Sequence, residues 1–147
     1  MKAENYMTLE FPSKSANESF ARAAVACFAA QLDPNLEELN DIKTAVSEAV
    51  TNCIVHAYKQ TIGTIQLKCR ILPGGVLDSV VKDRGCGIED VAQARKPMFS
   101  TGGAERSGMG FTIMESFMDG VKVRSTPGRG TTVILRRRIS RRLGGAV

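Results

Sequence analysis

Ser47-Glu48-Ala49-Val50-Thr51-Asn52 is a helical segment in which an acid and an amide stand four residues apart. Three glycine-containing segments follow it in the chain: Asp83-Arg84-Gly85-Cys86-Gly87-Ile88, Ser107-Gly108-Met109-Gly110-Phe111 and Gly128-Arg129-Gly130-Thr131-Thr132. Each segment alone is weak evidence, because paired glycines occur in many turns. Together they offer a metal ligand, a carboxylate that can read a base and a helix start that can bind phosphate. The set therefore indicates a site that suits ATP.

The acid and the amide of the helix, Glu48 and Asn52, stack on one helix face. A solvent-facing pair is the default interpretation, but apolar neighbours make this face unlike the usual charged one: Ala45, Ala49 and Val55. Asn52 offers Mg²⁺ a neutral oxygen ligand, and Mg²⁺ takes few protein ligands. Glu48 could then orient or deprotonate an attacking hydroxyl. His56 continues the same row, and we expect it to have a packing or hydrogen-bonding role.

The glycine segments supply the remaining nucleotide contacts. Asp83 ends a predicted strand and can accept the adenine amino group, while Gly85 and Gly87 let the backbone turn against the flat base. An ordinary Asp-x-Gly turn is the alternative for this segment on its own. Gly108 and Gly110 precede a helix whose N-terminus favours phosphate. Arg106 is placed to reach a terminal phosphate. The chain has no G-x-x-x-x-G-K-[ST] motif, which excludes a P-loop protein.

Length and composition predict one globular domain outside the membrane. A chain of 147 residues, 43% hydrophobic, suffices for a single core, and no apolar run approaches the roughly 20 residues of a membrane span. The N-terminal residues lack the apolar stretch of a signal peptide, so we expect a cytoplasmic protein. The four cysteines form no Cys-x-x-Cys pair, which predicts free thiols.

The net charge of +5 raises the question of nucleic-acid binding. Five of the 20 basic residues follow residue 135 and no acidic residue does, so residues 1–135 carry 15 of each sign. A balanced body with a basic tail is typical of a solvated strand end. We therefore expect no direct DNA binding, with a domain over residues 1–138 and a basic tail over residues 139–147.

Periodicity predicts an α+β fold, a two-layer α/β sandwich with helices on one face of a mixed sheet. A capping box at Ser15 and Glu18 begins a helix to about Leu32, and Asp33-Pro34 begins a second helix to about Tyr58. The second helix has a predicted core stripe of Leu36, Leu39, Ile42, Val46, Val50, Cys53 and Ile54. Strands are predicted at residues 6–11, 65–71, 76–82, 121–125 and 131–138, and helices at 90–95 and 110–118. Residues 97–107 are predicted to form a mobile lid that orders around the phosphates when ATP is bound.

Three long segments carry a family resemblance: Glu18-Ser19-Phe20-Ala21-Arg22, residues 42–52 and residues 106–115. They resemble the sporulation anti-sigma F factors of the GHKL ATPase/kinase superfamily, which has the Bergerat ATP-binding fold. The resemblance implies an ATP- and Mg²⁺-dependent protein-serine kinase that also sequesters RNA polymerase sigma factor F.

The resemblance also implies a role for each site residue. Glu48 would be the catalytic base and Asn52 the magnesium ligand. Asp83 and Gly87 would hold adenine, with Thr131 or Thr132 lining the adenine side. Three residues would hold the phosphates: Arg106, Gly108 and Gly110.

The resemblance further implies an anti-anti-sigma factor as the phosphorylation substrate. We also expect a homodimer, which would use sheet or helix surfaces because no dimerisation helices precede the ATP domain. Ser79 departs from the family pattern, which has an apolar residue there, and Gly102 stands where a basic residue is common. Two alternatives remain: the catalytic domain of a sensor histidine kinase, and a sequestering module without phosphotransfer.

The first helix supplies a candidate partner surface. With a core face of Phe20, Ala24, Cys27 and Phe28, Arg22 would lie about 160° around the helix from Phe20. Its predicted neighbours are small: Ala26, Ala29 and Ala30. A second packing layer is one interpretation. The other is a docking site in which Arg22 is the polar anchor, as arginine often is at interfaces.

Overall fold

Residues 2–96 and 110–139 are described by a computed structural model. The strands are β1 (Asn5–Pro12), β2 (Thr64–Leu72), β3 (Val76–Asp83), β4 (Gly120–Thr126) and β5 (Gly130–Arg138). The helices are α1 (Ala16–Ala29), α2 (Leu36–Asn52), α3 (Val91–Ala94) and α4 (Gly110–Phe117). A 3-10 turn, Ala30–Leu32, follows α1, and a π-helical turn, Cys53–Ala57, follows α2. Over the described ranges, no helix is both long enough and apolar enough to cross a membrane.

The five strands form one sheet in the order β1-β2-β3-β5-β4, with the helices packed on one face. The predicted α+β two-layer sandwich is confirmed. All four strand pairings are antiparallel, so the prediction of a mixed sheet is wrong. The strand directions could not be deduced because helices separate β1 from β2 and β3 from β4.

The core lies between the inner face of the sheet and α2. Alternate residues of β2, including Ile65 and Leu67, are fully buried, as the period of two predicts. Ile42, Val46 and Val50 of α2 pack into the same cluster. Each such side chain stabilises the fold by about 1.5–3 kcal/mol, and this packing fixes the position of the polar face of α2.

Helix α1 is rotated relative to the prediction. Ser15 makes no side-chain cap bond, and its predicted partner Glu18 instead accepts a 2.6 Å hydrogen bond from the Ser47 hydroxyl of α2. The buried residues of α1 are Ala21, Val25, Phe28 and Ala29. Phe20 is 52% exposed and Cys27 is exposed, so their assignment to the core is wrong. The helix carries two apolar stripes, and the one with small alanines allows the closer approach to α2.

Helix α2 begins two residues later than predicted. Asn35 is the N-cap: its Oδ1 accepts from the Glu38 amide at 2.7 Å, and its own amide donates to Glu38 Oε1 at 2.9 Å. Asp33 instead adopts a left-handed conformation with φ 51° after the 3-10 turn. Leu36, the first residue of α2, is 78% exposed, so its assignment to the core stripe is wrong.

The sheet face away from the helices is basic. Asp78 is buried there between Arg70 Nη2 at 2.5 Å and Arg136 Nε at 3.2 Å, and the two arginines compensate its charge. Further basic side chains are exposed on β2, β3 and β4: Lys68, Lys82, Lys122 and Arg124. Basic and acidic residues are equal in number over residues 1–135, but several of the basic ones lie together on this face of the sheet.

Ser79, the departure from the family pattern, lies in the core opposite Cys69. The Ser79 hydroxyl and the Cys69 thiol are 3.5 Å apart, and both residues are fully buried. The two polar groups satisfy each other, so a serine is accommodated under the site. Burial raises the pKa of the Cys69 thiol from 9.0 to about 11.

This raised pKa predicts a stability that declines in alkali. The folded protein holds the Cys69 thiol proton more tightly than the unfolded chain does. The contribution of this thiol to the free energy of unfolding is therefore complete below pH 9 and is lost as the pH rises toward about 11. In urea unfolding under reducing conditions, the stability gap between wild type and Cys69→Ala should shrink by about 2 kcal/mol between about pH 8 and about pH 10.5. A gap that stays constant would contradict the assigned shift.

Candidate nucleotide-binding site

A cavity of about 490 Å³ opens between the second half of α2, the start of α4 and the ends of β3 and β5. This volume lies within the range of small-molecule sites. Six of the residues predicted from the sequence line it: Glu48, Asn52, Asp83, Gly87, Gly110 and Thr131. Segments that are far apart in the chain thus form one site.

One end of the cavity joins α2 to the first residue of α4. A Cβ placed on Gly110 would lie 3.3 Å from both amide atoms of Asn52 and 3.4 Å from Glu48 Oε2. Glycine therefore allows the start of α4 to lie directly against the acid and the amide. The arrangement brings a helix N-terminus, which attracts phosphate, beside a neutral oxygen ligand and a carboxylate.

The cavity is also lined by the buried carboxylate of Asp83, which is 5% exposed. Its Oδ1 accepts hydrogen bonds from the amides of Gly85 at 2.9 Å and Thr131 at 3.2 Å. Its Oδ2 accepts from the thiol of Cys53 at 3.4 Å. Three donors thus compensate the burial of an acid that borders the cavity.

The two glycines after Asp83 have different roles. Gly87 borders the cavity with φ +74°, and a Cβ there would lie 2.3 Å from the Thr126 carbonyl oxygen. Gly85 does not line the cavity; a Cβ there would lie 2.4 Å from the Ala57 carbonyl oxygen. Gly85 therefore lets the turn pack against the end of α2, and only Gly87 is placed to face a ligand.

The two threonines of β5 lie on opposite faces of the sheet. Thr131 pairs with Asp83 and lines the cavity, and its hydroxyl is 2.8 Å from the Ser125 hydroxyl. Thr132 lines a separate open depression with Lys82 and Arg124. Thr132 does not line the cavity, because successive residues of a strand point to opposite faces, and its role at the nucleotide stays a prediction.

The π-helical turn after α2 supplies further lining residues. His56, which continues the row of Glu48 and Asn52, lines the cavity, and so do Cys53 and Ala57, which the sequence did not assign to the site. The Tyr58 hydroxyl accepts from the Arg84 amide at 2.7 Å and donates to the Thr64 carbonyl at 2.8 Å. Burial raises the pKa of Tyr58, so the hydroxyl keeps its proton and fixes the turn after Asp83. A π-turn leaves no distinct mark in hydrophobic periodicity, which is why these contacts were not predicted.

Two predicted phosphate ligands, Arg106 and Gly108, lie outside the described residues, as does the predicted lid over residues 97–107. The segment before them is held in place at Arg95. Its Nε donates to Glu115 Oε1 of α4 at 2.8 Å, and its Nη2 donates to the Val121 carbonyl at 3.1 Å. The described residues thus flank the segment that contains Arg106 and Gly108, ending at Lys96 before it and resuming at Gly110 after it.

The sheet, its helical layer and this cavity define the class of GHKL-type ATPase domains, and the family model of the histidine kinase-like ATPase domain matches residues 11–137. An anti-sigma F factor of Caldanaerobacter subterraneus is 56% identical over 142 residues, which are 96% of this chain and 99% of that protein. An anti-sigma F factor of Clostridium acetobutylicum is 50% identical over 138 residues, 93% of this chain and 96% of that protein. The chain therefore belongs to the anti-sigma F factor family of histidine kinase-like ATPase domains.

A solved structure supports the same fold. The RsbU and RsbW domains of a Mycobacterium tuberculosis protein superpose with a TM-score of 0.70 at 20% identity, covering 94% of this chain and 33% of that one. At this identity the likeness concerns the fold alone.

Proposed function

We propose that this protein binds and inhibits the sporulation sigma factor F and uses Mg·ATP to phosphorylate a serine of an anti-anti-sigma factor. Membership of the anti-sigma F factor family supports the sigma-binding role. The observation that carries the kinase role is the convergence of Glu48, Asn52 and Gly110 in a cavity that Asp83 also lines.

The adenine end is formed by Asp83, Gly87 and Thr131. A carboxylate has about four acceptor positions, and among residues 2–96 and 110–139 three donors occupy Asp83, which leaves one position for an amino group in the cavity. This pattern suits adenine, whose exocyclic amino group is a donor. Gly87 presents backbone in place of a side chain next to the base.

The phosphate end suits a magnesium ion. Asn52 offers one amide oxygen, and Mg²⁺ sites at phosphates use one or two protein ligands with water and phosphate oxygens. Gly110 leaves the space beside that amide free of a side chain. When bound, the ion would neutralise phosphate charge. Asn52 would fix its position and the start of α4 would orient the phosphate chain.

Glu48 is placed to act on the acceptor hydroxyl. In the proposed reaction the serine oxygen forms a bond to the γ-phosphorus, the bond from that phosphorus to the β–γ bridging oxygen breaks and ADP leaves. The hydroxyl proton passes to the Glu48 carboxylate, which acts as a general base. Because α2 packs in the core, the carboxylate is held on a rigid element.

Arg22 contributes to a partner surface on α1. Its neighbours differ from the predicted ones, because the helix is rotated relative to the prediction. The Arg22 side chain is 42% exposed and pairs with Glu18 at 3.6 Å. On the neighbouring stripe, Phe20, Ala23, Cys27 and Ala30 are exposed. Arginine and exposed aromatic side chains are both enriched among interface anchors, and α1 presents one of each on different parts of its exposed surface.

We expect Arg22→Glu to weaken binding of sigma factor F, of the anti-anti-sigma factor or of both by at least about 10-fold. The change reverses the charge and places a second acid beside Glu18. Affinities for both proteins and for Mg·ATP should be measured, with Lys122→Glu on the opposite face of the sheet as the charge-matched control. Unchanged affinity for both partners would locate the interface elsewhere.

We also propose a homodimer, in line with the family resemblance. Strand β1 lies at an edge of the sheet and Tyr6 on it is 66% exposed, so this edge is available to a second chain. Sedimentation velocity of the full chain tests the proposal, and a monomer at all concentrations would contradict it.

The proposed activity is tested by phosphotransfer from γ-labelled ATP to the anti-anti-sigma protein. We expect Mg²⁺-dependent, acid-stable label on a serine of that protein. Acid-labile label on a histidine would instead favour a sensor histidine kinase. Sigma binding without any transfer would indicate a sequestering module and contradict the kinase role.

A further inference from the structure

Cys53 is the contact that fixes the second oxygen of the buried Asp83 carboxylate. The Gly85 and Thr131 amides hold Oδ1 from the sheet side. The Cys53 thiol, 4% exposed, donates to Oδ2 at 3.4 Å from the helix side. Two backbone amides thus hold one oxygen of the planar carboxylate, and among the described residues the Cys53 thiol is the side chain that donates to the other.

The π-turn places this thiol. Its characteristic bond joins the Tyr58 amide to the Cys53 carbonyl at 3.1 Å. The same turn contacts the Asp83 region twice: the Tyr58 hydroxyl accepts from the Arg84 amide, and the Cys53 thiol donates to the Asp83 side chain. One turn thus fixes both the backbone and the carboxylate of the strand end.

An ionised carboxylate can only accept, so the proton of the Cys53–Asp83 contact belongs to the sulfur. With that donor on Oδ2, one acceptor position of Asp83 remains among the described contacts, and Asp83 lines the cavity. A purine with a 6-amino group can donate to it, whereas a purine with a 6-carbonyl presents a second acceptor and leaves both groups unpaired.

We propose that Cys53 is a positioning residue for base recognition, which orients Asp83 so that the site prefers 6-amino purines to 6-oxo purines. The inference rests on the nucleotide site proposed above and adds a determinant of its selectivity. Cys53 contacts Asp83 and is not one of the proposed phosphate or metal ligands, so its removal should change the discrimination between bases and leave the phosphotransfer chemistry intact.

The test compares the dissociation constants of ATP and inosine triphosphate by calorimetry in wild type, Cys53→Ala and Cys53→Ser. Losing the thiol donor to Asp83 should weaken ATP binding by about 2- to 10-fold in the alanine variant, with little change for inosine triphosphate. The serine variant retains a donor and should keep most of the preference for ATP. Cys69→Ala, which alters a buried thiol outside the cavity, should keep the wild-type ratio even though it lowers stability.

An unchanged ratio in Cys53→Ala would overturn the proposal, as would an equal loss in Cys53→Ser, which would indicate packing alone. If the alanine variant does not fold, the isosteric pair Cys53→Val and Cys53→Thr gives the same comparison. Asp83→Asn separates this proposal from the nucleotide site itself. If wild type shows no preference for ATP and Asp83→Asn changes nothing, the site assignment fails; if Asp83→Asn removes the preference and Cys53→Ala does not, only the role of Cys53 fails.

Discussion

Replacing Glu48 by Gln is expected to lower the rate of phosphotransfer to the acceptor serine by about 10²–10⁴-fold, which is the usual contribution of a general base. The amide keeps the shape and hydrogen-bonding capacity of the side chain but cannot take the hydroxyl proton. Single-turnover transfer should be measured at saturating Mg·ATP, so that binding does not limit the rate.

Binding provides the control for this variant. Glu48 lies outside the core stripe of α2, so ATP and sigma factor binding should persist in Glu48→Gln. Glu37→Gln, an exposed acid on the same helix, should transfer phosphate at the wild-type rate. Wild-type transfer by Glu48→Gln would mean that Glu48 is not the base.

Replacing Asn52 by Ala is expected to weaken Mg·ATP binding by at least about 10-fold. Removing a residue that only supports a metal ligand already lowers metal affinity by about that factor, and Asn52 is the proposed ligand itself. The amide oxygen is the proposed protein ligand, and Asn52 is only partly buried, so the fold should survive. Calorimetry should be run with Mg²⁺ and again with EDTA.

The loss in Asn52→Ala should be confined to the magnesium titration. Without the metal, the variant and wild type should bind ATP with similar weak affinity, and Asn40→Ala, an exposed amide on the same helix, should behave as wild type. An equal loss with and without Mg²⁺ would show that Asn52 holds the nucleotide and not the metal.

The sequence predicted the helices and strands well where periodicity was strong. All five strands and the short helix after Asp90 lie where they were expected. The rotation of α1 was wrong because Phe20 and Ala21 lie on competing apolar stripes, and only the close packing against α2 selects between them. The predicted N-cap of α2 was wrong because two helix starts compete in the sequence. Asp33-Pro34 is one, but Asn35 and Glu38 form the capping box in the structure.

The site was predictable where chemistry limits the choice of residue. The acid, the amide and the glycine at the start of α4 are each weak evidence alone, but their combination predicts one cavity, and the structure brings all three together. Thr131 and Thr132 could not be separated, since the face of β5 depends on its register with β3. The contact from Cys53 to Asp83 joins residues 30 apart through a π-turn, and no local pattern predicts it.

The most direct test of the nucleotide site is an experimental structure of the protein with Mg²⁺ and a non-hydrolysable ATP analogue. We predict the adenine amino group within hydrogen-bonding distance of Asp83, the metal on the amide oxygen of Asn52 and the γ-phosphate between Glu48 and the start of α4. A nucleotide bound in the open basic depression that contains Lys82 and Arg124, or one whose base points toward α4, would contradict the account.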